Sequence, residues 1–280
     1  MRGSTRLALV FLACIAAAIV SCQKAETDEA AIRALVENDN TYFKSSTAGD
    51  STENAPALDD TTVGLWWRGA QTHDQNPVID VGIEEDSAWV GWHQHNYGEL
   101  FHWVKTSGTT AELWTKSLTE KVQLNAVFMR EGETTAPNRG WKLKKISLAD
   151  GVSDTVNTVT IDSMSIHSSL RDVTIVDPLS TYYPVDSFVS FTPGEQLTLT
   201  LYTNVDEGFA FLHAFWGLLP VRIPFESEGG GVFVGTWNAQ IIPGFRFAIF
   251  DLLSEGTLLG PTAPYDYKGW LFPYMIKTAD

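Results

Sequence analysis

Residues 91–103, GWHQHNYGELFHW, gather three of the chain's six histidines: His93, His95 and His102. On an extended strand His93 and His95 share one face with Trp89 and Gly91, while Val90, Trp92, Gln94 and Asn96 take the other. The two imidazoles then stand about 7 Å apart, a geometry that chelates Zn²⁺ or Cu²⁺ once a third ligand joins them. A turn at Tyr97-Gly98 would fold His102 back alongside, and register decides whether it reaches the same face. The competing reading is an exposed strand face that carries histidines among Trp rings and binds nothing. No other cofactor is indicated.

Other catalytic templates are missing. The chain has no G-x-S-x-G, H-E-x-x-H, P-loop or C-x-x-C, and EGGGVFVG lacks both the Lys-Ser/Thr and the helix that grip phosphate, so it reads as a hairpin turn. An enzyme would need an ionisable group desolvated in an apolar pocket, for which Asp39, Tyr42 and His93 are the candidates. Ten tryptophans are the other chemical feature. Trp66, Trp67, Trp89 and Trp92 can line a pocket for a small apolar or sugar-like ligand, with Arg68 as its polar handle. The same rings can equally fill a core.

The elements that must position these residues start after a leader. Arg2 and Arg6 precede an unbroken apolar run, Leu7 to Val20, shorter than the roughly 20 residues a bilayer span needs and suited to a secretory signal. It ends Ile19-Val20-Ser21-Cys22, and a small residue directly before cysteine resembles the lipobox of bacterial lipoproteins. The resemblance implies a signal peptide over 1–21, acylation of Cys22, and a membrane-anchored protein of the bacterial cell envelope. Gln23, in place of a retention-favouring Asp, implies the outer membrane. Several acyl chains on one residue anchor stably where one is marginal. With Cys14 lost and Cys22 acylated no disulfide is expected, and stability must come from burial. Removing Arg2 and Arg6 leaves 19 − 2 = 17 basic against 34 acidic residues, a net −17 that argues against nucleic acid and anionic headgroups as partners.

Residues 22–30 read as a tether. Ile32, Leu35, Val36, Tyr42 and Phe43 then fall at offsets 0, 3, 4, 10 and 11, the stripe of an amphipathic helix. TTVGLWWRGAQ fits a second short helix, with Thr61 or Thr62 as N-cap. Beyond Pro77 the period becomes two, through Ile79, Val81 and Ile83, SAWVGWHQH, ELFHWVK, AELWTKSLTEKVQLNAVFMRE and GWKLKKISLA, with turns at Glu85-Asp86, Ser107-Gly108 and Asn138-Arg139-Gly140. This predicts an α+β unit over 31–150. Its amphipathic helix, WWR, SAWVGW and GWKLKKISL resemble the nuclear transport factor 2-like (SnoaL-like) superfamily. That resemblance implies a cystatin-like cone, a curved sheet wrapped on helices, with a pocket but no particular activity.

From 151 to 280 the helical period is absent. Seven short β runs, separated by turns such as Thr192-Pro193-Gly194-Glu195 and Glu228-Gly229-Gly230-Gly231, predict an immunoglobulin-like β-sandwich. Val156, Val159, Ile161, Leu197, Leu199 and Leu201 should face its core; His213 reads as a core histidine and Asp266 as a turn cap. The ending APYDYKGWLFPYMI resembles those of uncharacterised two-domain bacterial lipoproteins. The expectation is a lipid-anchored envelope protein with a non-enzymatic role in binding a ligand or an envelope protein partner. The alternatives are an isomerase or dehydratase-type enzyme in the cone, and a histidine metal-binding protein.

Overall fold

The computed structural model describes residues 27–43, 65–107, 110–216 and 219–278; Cys22, Thr61 and Thr62 lie outside them. Helix α1 (Asp28–Glu37) begins where the Thr27 hydroxyl accepts from the Ala30 amide and buries Ala31, Ile32 and Val36. It is shorter than the apolar stripe predicts. Asn38-Asp39-Asn40 offers the backbone side-chain partners that compete with helical ones, and the Asp39 carboxylate accepts from the amides of Thr41, Tyr42 and Phe43. Tyr42 and Phe43 reach the core from the turn that follows.

The expected second helix is strand β1 (Leu65–Arg68), whose burial alternates with Trp66 and Arg68 inward. Strands β2 (Thr72–His73) and β3 (Val78–Glu84) pair with β4 (Ser87–Ser107), and β4 pairs along its whole length with β5 (Thr110–Arg130). No turn forms at Tyr97-Gly98. Tyr97 pairs with Thr119 and Gly98 with Leu118, so β5 carries β4 straight through. Strand β6 (Trp141–Ser153) follows a 3-10 turn at Pro137–Gly140.

The remaining strands are β7 (Ile161–His167), β8 (Asp172–Ile175), β9 (Tyr182–Pro184), β10 (Ser190–Phe191), β11 (Gln196–Thr203) and β12 (Gly208–Trp216). They continue with β13 (Leu219–Pro224), β14 (Glu226–Gly229), β15 (Val232–Asn238), β16 (Gly244–Ser254) and β17 (Tyr267–Ile276), with a short helix α2 (Glu255–Leu259) before β17. The triple glycine closes the β14–β15 hairpin, with positive φ at Gly229, Gly230 and Gly231.

Two sheets result. The larger runs β1-β4-β5-β6-β17-β16-β12-β13 and curls into a half-barrel; the smaller runs β14-β15-β11-β7-β8. The α+β cone is therefore not the fold. Apart from α1 and α2 the described residues form almost no helix, and the segment expected to supply a second helix pairs as an edge strand. The boundary expected near Asp150 falls inside β6, which pairs with β5 on one side and with the last strand, β17, on the other.

The core divides accordingly. On β16 and β17, Phe250, Leu252, Trp270, Phe272 and Tyr274 pack toward the smaller sheet, where Val159, Ile161, Leu197, Leu199 and Leu201 meet them. Ile249, Leu253, Tyr267 and Leu271 point into the curl instead. A strand covered on both faces reads as an almost unbroken apolar run, as FRFAIFDLL and GWLFPYMI do. Inside the curl, one end is filled beneath α1 by Ile32, Val90, Trp92, Val122 and Phe128, and the other beneath β1 and α2 by Trp66, Leu100, Leu118 and Phe211.

Candidate functional site

At the α1 end the curl opens into a cleft of about 530 Å³. Three segments line it: Val36 and Glu37 from the last turn of α1 with Asp39, Asn40 and Phe43 after it; Trp92 and Gln94 from β4; and His73, Gln75, Asn76 and Pro77 between β2 and β3. Each is held by its own bonds. Arg33 on α1 donates to the Ile79 carbonyl over 2.5 Å, which seats the helix on β3. Asp28 accepts from Arg130 Nη2 and Arg139 Nε at 2.8 Å and from Trp141 Nε1 at 3.0 Å, pinning the helix start to the sheet. These donors, Arg139 first, hold the Asp28 carboxyl below the usual carboxylate range.

Asp74 fastens the β2–β3 wall. Gln94, on the inner face of β4, donates to its carbonyl at 3.0 Å; on the outer face Tyr97 donates to its carboxylate at 3.2 Å and His95 Nδ1 lies 3.3 Å from it. The Asp74 amide closes the set by donating to the His95 carbonyl. The Phe43 and Trp92 rings meet at 6.5 Å behind the opening.

The opposite end of the curl holds ions instead. Arg68 Nη1 lies 2.6 Å from Asp251 Oδ2, and its Nε donates to the Tyr265 hydroxyl at 3.0 Å. Tyr265 in turn donates to Glu120 at 2.5 Å, and His213 Nε2 lies 2.7 Å from Asp251. The Arg68 guanidinium also lies 4.9 Å from the centre of the Tyr267 ring. All of these side chains are buried. Burial alone would raise the Asp251 pKa, but the Arg68 and His213 charges outweigh it and the carboxyl stays below its ordinary range. Burial pushes the Tyr265 and Tyr267 hydroxyls far above theirs. Arg222 lies 3.8 Å over the Trp66 ring and donates to the Trp66 carbonyl, so edge strand β13 is tied to edge strand β1 by a side chain. This centre is sealed by burial, so it can hold the fold together.

No family model, curated protein or solved structure matches the chain.

The geometry separates the expected site residues. Of the pocket candidates, Asp39 and Trp92 line the cleft and Tyr42 packs beside it against Phe188 and Phe245. Trp66 and Arg68 belong to the sealed end. Trp67 stacks on Phe101 at 5.3 Å, and Trp89, 59% exposed, lies over Gly82. One Asp39 carboxylate oxygen accepts three backbone amides. Burial pushes the Tyr42 hydroxyl above its ordinary range, so it stays neutral.

The histidine trio does not converge. With β4 unbroken, His102 lies nine residues beyond His93, about 30 Å along the strand and on the opposite face. His102 is buried and stands edge-on to Trp114, while His93 and His95 pair separately with Asp80 and Asp74. Burial, then the nearby Lys121 charge, lowers the His93 pKa. Among the described residues no group of three or more His, Cys, Asp and Glu side chains is placed to hold a metal ion.

Sequence reasoning missed Asn40, Phe43, Gln75, Asn76 and Gln94 as cleft residues. The available signal was Gln94, a carboxamide on the strand face that also carries Val90 and Trp92. A polar side chain on a buried face needs a partner, and the residue it bonds lies in the opposing wall.

Proposed function

We propose that the protein is a lipid-anchored component of the bacterial envelope that binds a small molecule in the α1-end cleft without transforming it. The carrying observation is the cleft itself. It has a volume within the range of ligand sites, walls fixed by α1, β4 and Asp74, and, among the described residues, a lining without Ser, Thr, Cys or Lys to act as a nucleophile. The lipid anchor is supported by the signal-like leader and by the small residue before Cys22. No described helix is long and apolar enough to cross a membrane.

The test is a thermal-shift screen of the purified full chain and of its Gln75→Ala/Asn76→Ala variant, two exposed wall positions that carry no fold-defining contact. A ligand at 100 times its Kd adds about 2.7 kcal/mol of stability. Compounds that stabilise the native chain but not the variant are the expected result; compounds that stabilise both equally would put the site elsewhere. Palmitate labelling tests the anchor. It should be lost in Cys22→Ala, and labelling that survives the substitution would refute it.

A further inference from the structure

We infer that the cleft selects a neutral, polyhydroxylated ligand, of the chemical class of a mono- or disaccharide; the inference rests on the cleft being a ligand site. Its lining excludes the other classes in turn. Seven of its eleven residues are polar, whereas sites for apolar molecules are lined mainly by hydrophobic side chains. Among the described lining residues there is no Arg or Lys, and an anion would meet Glu37 and Asp39 there. The chain's formal charge of −15 adds long-range repulsion of anions.

An amine would need an uncommitted carboxylate. Asp39 has one oxygen spent on three backbone amides and only the other left to receive a cation, and Glu37 stands on the exposed rim where water screens it.

What remains is a set of carboxamides over an aromatic floor. Asn40, Gln75 and Asn76 each offer two N–H donors and a carbonyl acceptor, which matches a hydroxyl's ability to both give and take a hydrogen bond. Gln94 has committed an N–H to the Asp74 carbonyl, so its orientation is set and its oxygen is the acceptor left for a ligand. Phe43 and Trp92, largely buried, supply the apolar part of the floor. Phosphorylated and acidic sugars fall outside the class for the same reason as other anions.

Isothermal titration of the full chain with four probe types of similar size tests this: glucose and N-acetylglucosamine as neutral sugars, glucuronate, glucosamine, and 1-naphthol. The neutral sugars should bind, and the two charged sugars and naphthol at least tenfold more weakly. Asn76→Ala should weaken the neutral sugars at least fivefold while leaving the unfolding midpoint unchanged. Tighter binding of glucuronate, glucosamine or naphthol that is sensitive to Asn76→Ala would overturn the ligand class and keep the cleft. Binding insensitive to Asn76→Ala and to Gln75→Ala/Asn76→Ala would move the site elsewhere, and silence across the panel would overturn both readings.

Discussion

Replacing Asp251 by Asn should expose how strongly the sealed end of the curl depends on charge pairing. Asp251 receives Arg68 at 2.6 Å and His213 at 2.7 Å, and all three side chains are buried. Removing one partner of a buried ion pair strands the other and costs about 3–5 kcal/mol. Glu120, 3.7 Å from Arg68 Nε, compensates in part, so the lower end, about 3 kcal/mol, is expected at pH 7. Urea unfolding should show this as a lower midpoint at unchanged slope. The pH dependence has a definite sign. The folded Asp251 pKa is lowered from 3.8, so its stabilisation is complete above pH 3.8 and lost as pH falls through the folded value. The carboxylate's own contribution to the gap between native and variant chains should thus hold above pH 3.8 and narrow as pH falls below it. An Arg68→Met/Asp251→Leu chain removes both charges and should lose less than the sum of the two single variants. A cost below about 1 kcal/mol for Asp251→Asn, or strict additivity in the double variant, would refute the reasoning.

Gly269→Ala places a Cβ 1.9 Å from the Tyr267 hydroxyl, so the ring must leave its position over β6 and β17; a loss of about 1–3 kcal/mol in urea unfolding is expected. Asp28→Asn weakens the clamp on α1. With the carboxylate 27% exposed the cost should be about 1–2 kcal/mol, read as faster hydrogen exchange of the α1 amides. Because the folded Asp28 pKa is lowered, that difference should hold above pH 3.8 and shrink in acid. Lys116 donates to the Gly256 and Gly260 carbonyls at the end of α2, and burial brings its pKa down from 10.5 to about 8. The unfolded chain therefore binds the extra proton between these values, and stability should rise with pH from 8 toward 10. Lys116→Met should flatten that rise, and an unchanged slope in midpoint against pH would contradict it.

Local patterns were legible where local physics decides. The stripe Ile32, Leu35, Val36 marked α1, and the alternation over residues 89–96 separated the two faces of β4, though not which of them is inward. The Gly229–231 turn was likewise visible, resting on neighbours a few residues away, whereas Asp266, read as a turn cap, accepts from Thr158, 108 residues distant, and the Thr27 cap fell inside the expected tether. Tyr97-Gly98 shows the limit. A glycine permits a turn, but Leu118 and Thr119 in the partner strand decide that none forms. Leu65–Arg68 reads locally as a short helix, and only pairing to residues 100–103 makes it a strand. The ion cluster was invisible because its members lie far apart in sequence: Arg68 and Asp251 are 183 residues apart, and Tyr265 and Glu120 are 145 apart. A charge on a strand reads as solvated until its partner is known. The cleft fell between these cases, since Asp39 and Trp92 were picked out and the amides that surround them were not.

The place of β17 also sets an order of events in time. This last strand lies between β6 and β16, and its two faces complete separate cores, so neither the curl nor the packed pair of sheets can close until the final dozen described residues arrive. The long β4–β5 hairpin can form early from near neighbours, but it must then wait with its apolar inner face open to water. Such non-local closure is slow, and the waiting species is prone to aggregate. The chain must therefore be kept from aggregating until its synthesis is finished, and loss of β17 would leave two cores unfinished rather than one edge frayed.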